Sequence, residues 1–238
     1  MYYPVVIAHR GASAYALENT MEAFELAVAM GCDYIEFDVR KTKDNVLVIH
    51  HDHDIKVNGK IVKINDVSYA ELMAIAPYPV ATLEDVIATF KTRVKFDIEL
   101  KEAGYEDFAL NSIFSQLSRS DFIITSLIDE AVSAVKTLDP DVKAGLILGL
   151  DKPRNLVITR YTELFPWRRL KKCGADFVAP HFMLLNRLFL QTAAREGYPI
   201  LAWTINGPEL VKRLIRQKVR GLISDKPDMA AAIRDGVG

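Results

Sequence analysis

Eight short apolar runs recur along this chain, and helical patterns fill most of the gaps between them. The runs are Val5 to Ala8, Tyr34 to Val39, Val94 to Leu100, Phe122 to Thr125, Lys143 to Leu148, Asp176 to Ala179, Pro199 to Thr204 and Gly221 to Ser224. Apolar runs of this length, bounded by turn residues, read as buried strands. Helical spacing is predicted over Thr20 to Met30, Ser68 to Ile75, Thr82 to Phe90, Asp107 to Leu117, Asp129 to Leu138, Glu163 to Lys172, Asn186 to Glu196 and Pro208 to Gln217. Asn19 and Glu22 hold capping-box spacing ahead of the first helix. Strands that alternate with helices build a parallel sheet covered by helices. Eight such strands are the number that closes a TIM (β/α)8 barrel. No linker, low-complexity tract or composition break interrupts the pattern, so residues 1–238 are expected to form a single barrel domain.

One segment departs from the alternation. Arg40 to Asn45 is polar, and Val46-Leu47-Val48-Ile49 follows before His50-His51-Asp52. Asp44-Asn45 suits a tight turn with positive φ, so a β-hairpin extension is predicted after strand 2. A two-residue turn there would pair Lys43 with Val46. Counting back along the ladder then sets His51 opposite Asp38, or opposite Glu36 with a slightly longer turn. His50 and His53 would point to the other face as surface or supporting groups.

The strands also carry charge where apolar residues are the rule. Val5 to Ala8 ends in His9-Arg10-Gly11, Tyr34 to Val39 contains Glu36 and Asp38, and Phe96 to Lys101 carries an acid beside a lysine, Glu99 and Lys101. A charge inside an apolar strand costs several kcal/mol unless it is paired or binds a metal. Three such strands predict one shared polar site at the barrel mouth. Glu36 and Asp38 are two apart and so face the same side. With Glu99 they offer three carboxylates and no nearby thiol, a donor set suited to Mg²⁺ or Ca²⁺, with Mn²⁺ a further candidate. The alternative for these acids is simple pairing with Arg10, Arg40 and Lys101. His9 and His51 are the proton-transfer candidates, since phosphate-ester cleavage needs a base for the nucleophile and an acid for the leaving oxygen. Arg10 and Lys101 suit phosphoryl oxygens. Trp203 ends a late strand and could either wall the site for an alcohol or pack in the core.

Composition narrows the partners. Lys and Arg total 30 against 31 Asp and Glu, a balance that argues against nucleic acid. The two cysteines, Cys32 and Cys173, make no disulfide framework. No apolar stretch approaches the ~18 residues a membrane helix needs, and the first strand follows the N-terminus too closely for a signal peptide. A cytoplasmic protein is therefore expected. Arg160 to Lys172 mixes aromatic and basic residues, which suits either membrane-surface contact or an outer helix with a solvated basic face.

Taken in order, His9-Arg10-Gly11, Glu18-Asn19-Thr20, Glu36-Phe37-Asp38-Val39, His51-Asp52, Glu99-Leu100-Lys101, Trp203-Thr204-Ile205-Asn206 and Ser224-Asp225-Lys226-Pro227 resemble the glycerophosphodiester phosphodiesterase family. The resemblance spans almost the whole chain. It implies a TIM barrel that hydrolyses small-molecule glycerophosphodiesters to glycerol 3-phosphate and an alcohol. It further implies that Glu36, Asp38 and Glu99 hold a divalent cation, that His9 and His51 act as acid and base, and that Arg10 and Lys101 contact phosphate. Two departures are local: Leu17 precedes Glu-Asn-Thr where the family has proline, and Asn45 stands where the hairpin turn has glycine. The stretch after His51-Asp52 lacks the family's arginine and threonines, which bears on the identity of the alcohol.

Two rivals remain at this level. A lysophospholipase D-like hydrolase would use the same site with an apolar channel for an acyl chain. A non-catalytic phosphate-ester binding barrel would be marked by loss of a histidine or an acid, and none is lost.

Overall fold

The computed structural model of the chain describes residues 3–57, 59–149 and 156–236. Eleven strands are described: β1 (Val5–Ala8), β2 (Tyr34–Lys41), β3 (Leu47–Ile49), β4 (Asp54–Val57), β5 (Lys60–Lys63), β6 (Lys95–Leu100), β7 (Phe122–Ser126), β8 (Ala144–Leu148), β9 (Phe177–Pro180), β10 (Leu201–Ala202) and β11 (Gly221–Ser224). Eight of them pair in parallel in the order β10-β11-β1-β2-β6-β7-β8-β9. Single bridges from Val178 to Ile200 and from His181 to Trp203 join the two ends. The result is a nearly closed barrel of parallel strands ringed by helices, as the alternation predicts.

Side-chain parity divides the barrel into an inside and an outside. On β2, Ile35, Phe37 and Val39 pack outward under the helices; on β6, Phe96, Ile98 and Leu100 do the same. The residues between them therefore face the barrel axis. At its lower end that interior is apolar, built from Ile7, Phe177, Ala179, Leu201 and Ile223. Gly145 makes room there, because a Cβ at this position would fall 2.0 Å from the Phe177 ring. Towards the C-terminal ends of the strands the interior becomes polar.

The hairpin after strand 2 forms, with a register one residue away from that expected. Val39 pairs with Ile49, Arg40 with Val48 and Lys41 with Leu47. The cause is Thr42, whose Oγ1 donates to Asp44 Oδ1 at 2.6 Å and accepts from Val46 N at 2.9 Å. That holds a three-residue loop in place of the two-residue turn. His50 consequently stands opposite Asp38, its amide donating to Asp38 O at 3.0 Å. His50 is not a surface group: it is buried, with its ring stacked on Tyr78. Beyond it, β4 and β5 make a second hairpin not foreseen from the sequence, packed over Val48, Ile55, Ile64, Leu72 and Val80.

Two helix expectations are corrected. The N-cap of Met21–Ala29 is Thr20, whose hydroxyl accepts from Ala23 N, so Asn19 lies outside the helix and is free for other work. The helix expected over Glu163 to Lys172 is two, Leu156–Leu164 and Trp167–Cys173. Pro166 at the junction has no N–H to continue the first ladder. Among the described residues no helix is long and apolar enough to cross a membrane.

Candidate active site

The charged residues picked from three strands meet at the mouth of the barrel. Strands β2 and β6 run in register, with Glu36 beside Asp97 and Asp38 beside Glu99. Glu36, Asp38 and Glu99 each offer an oxygen within 4.8 Å of the others, and all three are buried. A cavity of about 670 Å³ opens above them, lined by His9, Arg10, Glu36, His51, Glu99, Lys101 and Trp203 among others. Asp38 lies just beneath and is fully buried.

The cations are placed by these acids. Lys101 Nζ lies 2.7 Å from Glu99 Oε1 and 3.1 Å from Asp38 Oδ1. Arg10 has φ +53. Its backbone amide donates to Glu36 Oε2 at 2.8 Å, its Nε lies 3.3 Å from Asp38 Oδ2, and its Nη1 donates to Glu18 Oε1 at 2.9 Å. Arg40 does not join the cluster. Its guanidinium donates to Glu102 and, through Nε and Nη2 at 2.9 and 2.6 Å, to the backbone carbonyl of His51. That grip fixes the bend beyond β3 and explains how His51 reaches the cavity although the ladder register favours His50.

Burial and crowding perturb the acids. Burial, then Asp38, Glu99 and Asp97, push Glu36 well above the usual carboxylate range. Burial raises Glu99 to about 7, with Lys101 opposing the rise. Burial would also raise Asp38, but Lys101 and Arg10 hold it well below its ordinary value. His51 is lowered by burial and by the Lys101 charge, so its neutral form is favoured near neutral pH. Fully ionised, the four buried carboxylates would outnumber the cations of Arg10 and Lys101 by two, and Asp97 Oδ2 is a buried acceptor without a hydrogen-bond partner among the described residues. A hard divalent cation fits that surplus and that donor set, so Glu36, Asp38 and Glu99 can hold one.

Both histidines are oriented through Nδ1. His9 Nδ1 lies 2.6 Å from Asp225 Oδ1, and His51 Nδ1 lies 2.9 Å from Asp52 Oδ1. In each ring Nε2 is the nitrogen left for the cavity. Trp203 donates from Nε1 to Ala179 O at 2.9 Å, which turns its ring into a wall of the cavity rather than a core filler.

Three contributors escaped the sequence reading. Asp97 shares the parity of Glu99 and faces inward, accepting from Thr125 Oγ1 at 2.8 Å; the two-residue spacing was the available signal. Asn19 donates from Nδ2 to Asp38 Oδ2. Asp225 lies 216 positions from His9 in the chain, and nothing local announces that contact.

A model of the Glycerophosphoryl diester phosphodiesterase family matches residues 9–229. The chain is 32% identical over 248 residues to the Bacillus subtilis (strain 168) protein YhdW, provisionally named a glycerophosphodiester phosphodiesterase, with 97% of each covered. It is 28% identical over 245 residues to a Caldanaerobacter subterraneus glycerophosphodiester phosphodiesterase, covering 94% of this chain and 95% of that one. The crystal structure of a Thermotoga maritima glycerophosphodiester phosphodiesterase matches with a TM-score of 0.79 and 26% identity, over 98% of this chain and 99% of that one.

Proposed function

The chain belongs to the glycerophosphoryl diester phosphodiesterase family, and from that premise we propose how its own residues cleave a glycerophosphodiester. It is a glycerophosphodiester phosphodiesterase, acting on a small-molecule diester to give glycerol 3-phosphate and an alcohol. The observation that carries the mechanism is the convergence of Glu36, Asp38 and Glu99 within 4.8 Å at the floor of the cavity that His9, Arg10, His51 and Lys101 line.

In this reading Arg10 and Lys101 grip nonbridging phosphoryl oxygens. Their charges are already oriented by Asp38, Glu99 and Glu18, so little rearrangement accompanies binding. Glu36, Asp38 and Glu99 hold a divalent cation, Mg²⁺ or Ca²⁺, with Mn²⁺ as a further candidate. When bound, such an ion would neutralise charge on the phosphoryl group. One of His9 and His51 takes the proton of the nucleophile through Nε2, and the other returns a proton to the departing alkoxide. Trp203, with Ile147 and Ile223 on the same cavity wall, gives an apolar surface for the carbon skeleton. Residues 1–238 act as one domain, and the two free cysteines suit a reducing cytoplasm.

Release of glycerol 3-phosphate from glycerophosphocholine, measured after chelation and again with Mg²⁺, Ca²⁺ or Mn²⁺ restored, tests reaction and metal together. Release should cease on chelation and return with at least one ion. Undiminished release in chelator would remove the metal from the proposal.

A lysophospholipid substrate is a second reading, favoured by one feature. Val157, Ile158 and Tyr161, on the helix that follows β8, are 78%, 61% and 65% exposed. Comparing cleavage of a lysophospholipid with that of glycerophosphocholine separates the two.

A further inference from the structure

We propose that Asp225 is a positioning residue for His9, fixing the imidazole tautomer whose unprotonated Nε2 faces the cavity. The inference rests on the diesterase reading above and adds to it a residue that the acid-base pair depends on.

The geometry is a closed network across the barrel ends of β1, β10 and β11. Asp225 Oδ1 lies 2.6 Å from His9 Nδ1. Ser13 Oγ lies 3.0 Å from the same oxygen and 2.8 Å from His9 O. Asn206 Nδ2 donates to Asp225 Oδ2 at 2.5 Å, and the Asp225 amide donates back to Asn206 Oδ1 at 3.0 Å. Ser224 Oγ donates to the same Asn206 oxygen, and the His9 amide donates to Ser224 O. Asp225 therefore has both carboxylate oxygens and its backbone engaged, and its aim at His9 is set independently of any ligand.

The chemistry follows from what a carboxylate can do. Burial pushes the Asp225 carboxyl up, but hydrogen bonds from His9, Asn206 and Ser13 hold it below the usual range, so it is ionised and only accepts. His9 must then donate from Nδ1, and in the neutral ring the lone pair sits on Nε2. Without Asp225 the ring would sample both tautomers and rotate about its side-chain bonds. Nε2 would then no longer be held at the cavity in one defined protonation state and direction, which proton transfer in either sense requires.

The test uses the unmodified protein and four variants: Asp225→Asn, Asp225→Glu, His9→Ala and the double variant His9→Ala/Asp225→Asn. Asp225→Asn keeps the shape, and an amide nitrogen aimed at Nδ1 would favour the opposite tautomer. We expect kcat to fall about a hundredfold or more, with KM changed by less than about threefold, and Asp225→Glu to recover part of the loss. In a His9→Ala background the same Asp225→Asn change should have no further effect, since its action runs through the imidazole. Nitrogen NMR of labelled histidine should show the Nδ1-protonated tautomer in the unmodified protein and its loss in Asp225→Asn. Near-normal kcat in Asp225→Asn, or an equal loss with and without His9, would overturn the proposal. If the unmodified protein cleaves no diester, the diesterase reading fails, while the NMR measurement still decides whether Asp225 sets the tautomer.

Discussion

Asn19 Nδ2 donates to Asp38 Oδ2 at 2.8 Å, and the Asp38 amide lies 3.4 Å from Asn19 Oδ1. The contact ties the loop after β1 to the most deeply buried of the three acids Glu36, Asp38 and Glu99. Asn19 has φ +58, a conformation that asparagine adopts more readily than other side-chain-bearing residues. Asn19→Ala should therefore lose twice, through the amide donor to a buried carboxylate oxygen that keeps only the Arg10 Nε ion pair at 3.3 Å and through backbone strain. We expect a destabilisation of about 2 kcal/mol, read by urea denaturation, together with weakened metal binding. Unchanged stability would mean that water replaces the amide.

His9→Ala and His51→Ala should each lower kcat about a hundredfold while a calorimetric titration still detects metal. Near-normal turnover in either variant would remove that histidine from proton transfer.

Glu99→Ala should weaken the metal first and activity as a consequence. Lys101 is 2.7 Å from Glu99 and would lose the nearer of its two carboxylate partners, keeping Asp38 at 3.1 Å, so raising the metal concentration should restore only part of the rate. Full metal affinity in calorimetry would contradict the ligand assignment.

Asp97 gives a pH prediction. Burial raises its carboxyl to about 7, with Thr125 opposing. An acid whose folded pKa lies above its unfolded value near 4 helps the fold while protonated. That contribution is whole below about pH 4 and disappears as the pH climbs through about 7. In chelator, Asp97→Asn should thus melt above the unmodified protein at pH 8, with the gap narrowing towards pH 4. A gap that does not vary with pH would show that Asp97 keeps an ordinary pKa.

Gly11 closes the tripeptide His9-Arg10-Gly11 for a packing reason. Its φ is +81, and a Cβ there would stand 2.7 Å from the Ala23 carbonyl carbon and 2.8 Å from the Ala23 Cβ. Gly11→Ala should destabilise by about 3 kcal/mol, measured by thermal melting. A melt unchanged from the parent would mean the loop and helix can move apart freely.

What the sequence showed and what it hid have physical causes. Barrel strands were legible because both faces are buried and the charged exceptions share one parity, as Glu36 and Asp38 do between Ile35, Phe37 and Val39. Lys101, Glu99, Arg10 and the histidines could be grouped because each sits at a strand end. The hairpin register was hidden, since a single hydroxyl on Thr42 converts a two-residue turn into a three-residue loop. Lys60–Lys63 is mostly exposed and so carries no strong apolar pattern. Asp225 was present in the recognised motif, but its contact with His9 depends on barrel closure, which no local pattern encodes.

The barrel order also sorts rigidity. β2 and β6, which bear Glu36, Asp38, Asp97 and Glu99, are the fourth and fifth of eight strands and share six paired residues. They lie diametrically across from the seam between β9 and β10, which is stitched by two lone bridges. Trp203 and His181 form one of those stitches. Breathing of the seam would flex the Trp203 wall and let it adapt to differently shaped alcohols, while the acids on the far arc keep their spacing. Amide hydrogen exchange should accordingly be fast at Ile200 and Trp203 and slow from Glu36 to Val39.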